Sequence, residues 1–298
     1  MNRLLITGAT GFLGVPCVRH TRKTFEVHAT ARTDRAGWPP GVRFHPCDLL
    51  DRRAVTDLLA AVRPSHLLHL AWVTTPGEYW TSPDNHRWLD ASVALLDDFF
   101  GQGGRRAVIA GTCAEYDWNG DGVCHERLTP TAPATLYGRC KNQLWDRLCG
   151  HHDRIAWARL FYLYGPAEHP SRLVPSVVRS LLSGLPADCT HGSQRRDFLH
   201  SDDAADAIAS LLVSRVVGPV NIGSGTATAV RTVVETLGRI CGRPDLLRLG
   251  TRPSATGDPP VLVADVSRLR DEVGWRPRLS LEEGLRDCVT WWRTARAA

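Results

Sequence analysis

The sequence predicts an α/β protein, a doubly wound parallel sheet with a smaller, discontinuous lobe towards its C-terminal side. Three observations carry this. Short apolar runs alternate with segments of helical periodicity from the first residues to about position 166. A glycine turn, Gly8-x-x-Gly11-x-x-Gly14, joins the first strand to the first helix. After Tyr164-Gly165-Pro166 the strand–helix alternation loosens.

Leu4-Leu5-Ile6 is the first strand, and a helix from about Leu13 to Thr21 follows the glycines, with Pro16 tolerated in its first turn. Phe25–Ala31 reads as strand two and Val42–His45 as strand three, separated by a Gly/Pro-rich loop. Val55, Leu58, Leu59 and Val62 are spaced as one face of a helix. His66–Ala71 is a continuous apolar strand, suited to a sheet covered on both faces. An irregular aromatic loop, 72–83, precedes a helix from Asn85 to Phe100. Arg106–Thr112 is strand five, Tyr137–Cys149 a helix and Ile155–Leu160 strand six. Residues 1–166 are therefore expected to form the larger domain, with 196–224 returning to it through Asp197–His200 and Val220–Gly223. Residues 167–195 and 225–298 are expected to form the lobe, including a helix over Leu173–Leu182.

At 298 residues, with 43% hydrophobic and 22% charged residues, the composition is that of an ordinary globular protein. A net charge of +5 without a basic tract gives no reason to expect nucleic acid. Surplus arginine fits an anionic small ligand or a solvated surface equally well. Nine cysteines, scattered and without Cys-x-x-Cys, argue against a disulfide framework and against a zinc site, so no metal is expected. The chain enters a strand at once and has no apolar run near the roughly 18 residues that span a bilayer. A cytoplasmic setting, away from membranes, is the expectation.

The glycine turn opens a Rossmann-type dinucleotide fold: a tight turn at Gly8, close pyrophosphate approach at Gly11, and close helix–strand packing at Gly14. The N–H groups of the first helical turn would face an anion. Tyr137 and Lys141, at i and i+4, share one helix face. A cation beside the phenol would lower its pKa towards neutrality. Thr112 ends strand five, where ligands bind in open α/β sheets, and its hydroxyl can hydrogen-bond a substrate carbonyl.

These blocks resemble the extended short-chain dehydrogenase/reductases, in the NAD-dependent epimerase/dehydratase group. The resemblance continues through Asp48-Leu49, His69-Leu70-Ala71, Leu160–Pro166, Arg196–Ala205, Asn221–Gly225, Gly274–Pro277 and Leu281–Leu285. It implies a catalytic set of Thr112, Tyr137 and Lys141, a nicotinamide cofactor, and a nucleotide-sugar substrate in the smaller lobe. On the cofactor side it places Gly8, Thr10, Gly11, Phe12, Leu13, Gly14, Asp48, Leu49, Leu70 and Ala71 beside Tyr137 and Lys141. The substrate-side candidates are Trp72, Cys113, Tyr162, Arg172 and Arg196. It also implies a homodimer through the helices Asn85–Phe100 and Leu136–Cys149, whose Leu95, Phe99, Leu144, Trp145 and Leu148 look surplus to the sheet.

Three departures narrow the activity. The acidic residue expected after strand two is Ala31, followed by Arg32, with Arg35 nearby, which suits the 2′-phosphate of NADP(H) better than NAD. Cys113-Ala114 stand where the 4,6-dehydratases carry an Asp-Glu acid–base pair, and Glu115, continuing the strand, would face the wrong way. Tyr162 replaces the usual phosphate-contacting asparagine, and Trp88 holds the slot of another asparagine, with Asn85 a turn earlier. The reading is an NADPH-dependent reductase of a keto group, at C4, of a nucleotide-activated deoxysugar. The alternatives are a nucleotide-sugar epimerase with tightly bound NAD and a non-catalytic NADP-binding protein.

Overall fold

The computed structural model describes residues 2–35, 37–120, 122–254 and 257–297. In chain order the elements are β1 (Arg3–Thr7), α1 (Gly14–Thr21), β2 (Glu26–Ala31), β3 (Arg43–Pro46), α2 (Arg52–Val62), β4 (His66–His69), α3 (Asp84–Gly101), β5 (Arg106–Thr112), β6 (Val123–Cys124), α4 (Leu136–Arg147) and β7 (Ile155–Leu160). There follow β8 (Tyr162–Tyr164), α5 (Leu173–Leu182), β9 (Ala187–Cys189), β10 (Arg195–His200), α6 (Ser201–Val213), β11 (Gly218–Ile222), β12 (Ala227–Ala229), α7 (Val230–Cys241), β13 (Leu247–Leu249), β14 (Val261–Ala264) and α8 (Leu281–Ala297).

Seven strands form a parallel sheet in the order β3-β2-β1-β4-β5-β7-β11. The order reverses between β1 and β4, the position at which such sheets open a ligand crevice. Strand side chains alternate between two buried layers. Leu4 and Ile6 pack with Val18 of α1 and Ile208 and Leu211 of α6. Leu5 and Leu67 pack on the other face with Leu59, Leu96 and Leu144 of α2, α3 and α4. The helix boundaries follow local chemistry. Asp51 caps α2 by accepting the N–H groups of Arg53 and Ala54, and Thr135 caps α4 by accepting that of Gly138. Among the described residues, no helix is long and apolar enough to cross a membrane.

The structure revises several expectations. The strand expected over His66–Ala71 stops at His69, because the N–H groups of Leu70 and Ala71 leave the ladder for the Thr7 hydroxyl. The segment Asp197–His200 does not return to the large sheet. As part of β10 it pairs with β8, β12 and β14 in a second sheet. The buried Asp197 carboxylate holds it there, accepting from Ser224 N, Gly225 N and Ala264 N. The chain returns through α6, and then through β11 beside β7. A separate core gathers Val177, Val178, Val233, Val234, Leu285 and Val289 from α5, α7 and α8.

Leu95, Phe99, Leu144 and Leu148, surplus by their sequence pattern, are buried within the single chain. Trp145 stacks on His152 at 3.6 Å and packs against Trp157. The two helices spend this apolar surface on each other and on the sheet, so it carries no argument for a dimer.

His69 sits under the rim of the sheet, fully enclosed. Its Nδ1 lies 2.8 Å from the Thr7 hydroxyl and its Nε2 2.9 Å from the Ser92 hydroxyl. Thr7 Oγ1 already accepts two backbone N–H groups, so its own hydrogen points to Nδ1, and the neutral ring donates from Nε2 to Ser92. Burial, helped by the Lys141 charge, pushes the His69 pKa down to about 3. The unfolded chain then binds this proton more readily than the folded one. The resulting stability is complete above about pH 6.5 and is lost as pH falls towards 3. Wild-type Tm is expected to drop across that window, and His69→Asn to flatten the drop. A Tm–pH curve of unchanged slope in the variant refutes this.

Candidate active site

A cleft of about 870 Å³ runs from the glycine turn, past the C-terminal ends of β1, β4, β5 and β7, to β9 and α5 of the lobe. Thr10, Gly11, Phe12 and Leu13 line it beside Gly8 and Gly14. Gly8 has φ +65°, and a Cβ on Gly14 would lie 2.2 Å from the Gly8 carbonyl oxygen. The turn therefore closes onto α1 only with glycine at both places. The first turn of α1 carries no acidic residue, so its N–H groups present an unopposed positive end to the cleft. This cradle fits a dinucleotide diphosphate.

The next stretch of wall is Ala31, Arg32, Thr33, Cys47 and Leu49, with Leu70 and Ala71 opposite. Two expected residues are not part of it. Arg35 lies over the Trp38 ring at 5.6 Å, where Asp34 also takes the indole N–H. Asp48 turns back to accept Leu50 N at 3.0 Å. Each of these side chains contacts its own loop.

Thr112, Tyr137 and Lys141 meet at the middle of the cleft. α4 can approach the turn after β5 because Gly138 lies against the Ala114 carbonyl, where a Cβ would be 2.3 Å away. Tyr137 and Thr112 line the same stretch of the cleft, where the Thr112 hydroxyl accepts Ala114 N at 3.2 Å. Burial raises the Tyr137 pKa, the neighbouring Tyr79 adds to this, and the nearby Thr112 hydroxyl opposes it. Tyr79 and Trp80 stand edge-on to the Tyr137 ring at 5.0 and 5.9 Å. The expected lowering of Tyr137 by an adjacent ammonium is not what the structure has. Lys141 Nζ donates to the Ala110 carbonyl at 2.8 Å and lies 3.8 Å from the Trp72 ring centroid. Its own pKa falls to about 7 through burial, with Glu115 pulling the other way.

Glu115 points away from the cleft as expected, but by a different backbone path. The strand ends at Thr112, and residues 113–115 form a tight 3-10 turn. Glu115 is thereby folded under Thr112, fully buried. Its carboxylate accepts Thr112 N at 2.7 Å, Trp157 Nε1 at 3.0 and 2.9 Å, and Arg159 Nε at 2.8 Å. The sequence signal for this is a Thr-x-x-Glu capping box, which the structure completes. Asn85, a turn before the expected asparagine slot, also has a place at the site. It is fully buried and accepts the Trp72 indole N–H at 2.8 Å.

At the lobe end, Cys113, Tyr162, Arg172 and Arg196 line the cleft with Glu168, Gln194, Arg252 and Asp258. Arg196 pairs with Asp258 rather than with Asp197 or Asp202, and its guanidinium lies 5.5 Å from the Tyr162 ring centre. Arg172 lies over Tyr79 at 5.3 Å. Burial raises the Cys113 thiol and the Tyr162 phenol and pushes the Glu168 carboxyl up to about 8. Arg252 and Asp258 come from an irregular loop without periodicity, so no sequence pattern marks them. No three His, Cys, Asp or Glu side chains converge on a metal-sized site among the described residues.

A parallel sheet with a glycine cradle at its switch point and a Thr–Tyr–Lys set across the cleft defines a dinucleotide-binding α/β enzyme. The chain belongs to the NAD dependent epimerase/dehydratase family, whose model matches residues 4–223, within the extended short-chain dehydrogenase/reductases. It is 28% identical to a UDP-glucose 4-epimerase of Streptomyces lividans, over 92% of this chain and 91% of that protein. It is 26% identical to a dTDP-glucose 4,6-dehydratase of Neisseria gonorrhoeae, over 97% and 95%. The fold superposes with a TM-score of 0.88 on the UDP-glucose 4-epimerase of Thermus thermophilus in complex with NAD, at 26% identity over 98% of this chain and 99% of that one.

Proposed function

We propose that this protein reduces a keto group, at C4, of a nucleotide-activated deoxysugar with NADPH. The carrying observation is the middle of the cleft. Thr112, Tyr137 and Lys141 line it together, and no acid–base pair follows Thr112. Cys113 and Ala114 have no proton chemistry to offer an elimination, and Glu115 is turned into its pair with Arg159. A bound nicotinamide supplies hydride. Tyr137, kept as a neutral phenol by burial, donates its proton to the developing alkoxide. Thr112 hydrogen-bonds the same oxygen, and Lys141 grips the nicotinamide ribose. Gly8, Gly11, Gly14, Thr10, Phe12 and Leu13 hold the diphosphate, and Arg196, Arg172 and Tyr162 face the substrate phosphates.

NADP(H) over NAD is supported by Ala31 and Arg32 at the adenosine end, where no carboxylate lines the described wall. One guanidinium hydrogen-bonded to a phosphate contributes about 1.5–3 kcal/mol. Arg32→Ala is therefore expected to weaken NADPH binding roughly tenfold or more and to leave NADH binding nearly unchanged, measured by nucleotide fluorescence. Equal losses for both nucleotides count against the NADP reading. For the reaction itself, NADPH consumption is followed across a panel of 4-keto-6-deoxy nucleotide sugars, and no consumption with any of them rejects it.

A nucleotide-sugar epimerase is the second reading, supported by the similarity to two UDP-glucose 4-epimerases. Nucleotide released on denaturing the purified protein separates the two, since retained NAD⁺ favours the epimerase. A homodimer through α3 and α4, on family resemblance alone, and a cytoplasmic setting, on the cysteine pattern and the lack of a long apolar run, complete the proposal. A monomeric mass by sedimentation equilibrium rejects the dimer.

A further inference from the structure

The aromatic loop between β4 and α3 holds a residue whose two ends serve different partners. Trp72 is 8% exposed. Its Nε1 donates to Asn85 Oδ1 at 2.8 Å, and its ring face lies 3.8 Å from Lys141 Nζ. Asn85 is itself pinned, its Nδ2 donating to the Tyr79 and Ser82 carbonyls at 2.7 and 2.8 Å. The start of α3 thus sets the plane of the indole, and α4 presents Lys141 to its face. The ammonium is 2% exposed and has three hydrogens to place, of which the Ala110 carbonyl takes one. The titratable groups acting on it from neighbouring elements are Glu115, from the turn after β5, and His69, at the end of β4. Tyr137 lies one turn back on its own helix.

We propose that Trp72 is a positioning residue for Lys141, its ring face, oriented by Asn85, holding the ammonium at the cleft beside Thr112 and Tyr137. A cation against an indole face is attracted by the ring quadrupole, most strongly where water is excluded. Trp72 therefore acts through Lys141 rather than by stacking on a sugar or base. The inference rests on the reading of Lys141 as a site residue and adds what keeps it charged and in place.

The chain contains only two lysines, Lys23 and Lys141, which makes a direct titration possible. Protein labelled with [ε-¹³C]lysine gives two Cε signals, and Lys23→Arg assigns the one from Lys141. Trp72→Leu is expected to lower the Lys141 midpoint by roughly one pH unit. Trp72→Phe, which keeps a π face, is expected to recover most of that shift. 5-Fluorotryptophan placed at position 72 alone, by stop-codon suppression, keeps the indole shape and its hydrogen bond but withdraws electron density from the ring. The Lys141 midpoint of this protein is expected to fall as well, and it decides the question if Trp72→Leu does not fold. An unmoved midpoint in the fluorinated protein overturns the proposal, as does an unmoved midpoint in a folded Trp72→Leu variant. Sugar turnover does not enter this readout. A protein that shows the shifts and oxidises no NADPH overturns the reductase reading and leaves this inference standing.

Discussion

Tyr137→Phe is expected to lower turnover about a thousandfold while leaving dinucleotide binding within about twofold of wild type. The variant removes one oxygen. The ring stays packed edge-on against Tyr79 and Trp80, and the backbone N–H of residue 137 still donates to the Trp80 carbonyl. What is lost is the proton for the developing alkoxide. Thr112 and Lys141 remain, so residual activity above the uncatalysed rate is expected. Single-turnover rates and equilibrium nucleotide titrations are the paired measurements. A small drop in the rate, with cofactor binding intact, would remove Tyr137 from the role of proton donor. Because burial raises this phenol, the group is protonated across the neutral range, which suits donation in the direction of reduction.

Glu115→Ala is expected to cost about 3–5 kcal/mol of stability, because it leaves the Arg159 guanidinium buried without its counter-ion. Arg159 Nη1 already has no hydrogen-bond partner, so the lost carboxylate is not easily replaced. Tm should fall by roughly 10 °C. The double variant Glu115→Ala/Arg159→Met removes both charges and is expected to recover most of the stability but not the activity. The reason is geometric and electrostatic together. Glu115 fixes the Thr112 backbone through its N–H and is the charge that opposes the fall in the Lys141 pKa. Full activity in the double variant would show that Glu115 serves the fold alone.

The order of elements, the glycine cradle and the Thr–Tyr–Lys set are legible in the sequence, because each depends on short-range regularities. Leu4, Leu5 and Ile6 announce a strand covered on both faces, and an i, i+4 pair shares a helix face wherever the helix lies. The sequence misleads where a local pattern is extended one residue too far. Continuing the strand beyond Thr112 sends Glu115 away from the site; the chain tightens into a turn instead, and the carboxylate still lies on the Gly111 face, where a Cβ would be 2.8 Å from its Oε1. Asp197–His200 reads as a strand, which suggests the large sheet. Pairing partners are not a property of a strand's own sequence, and its buried aspartate binds it to β14 and the loop after β11. Apolar residues on α3 and α4 look available to a partner subunit, and α3, α4 and the sheet bury them together.

Periodicity and glycine spacing thus suffice for a parallel α/β sheet that opens on a glycine turn, and the family resemblance adds Thr112, Tyr137 and Lys141 as the candidate reacting side chains. The partners of those side chains are settled by folding alone. Lys141 finds the Ala110 carbonyl 31 positions away, Glu115 finds Arg159 44 away, and Arg196 finds Asp258 62 away. Such contacts are chosen by which buried charges and donors can be satisfied once the elements have packed, and desolvation makes that choice costly to get wrong. Trp72, a substrate-side candidate by its sequence, lines the cleft and also lies with its ring 3.8 Å from Lys141 Nζ.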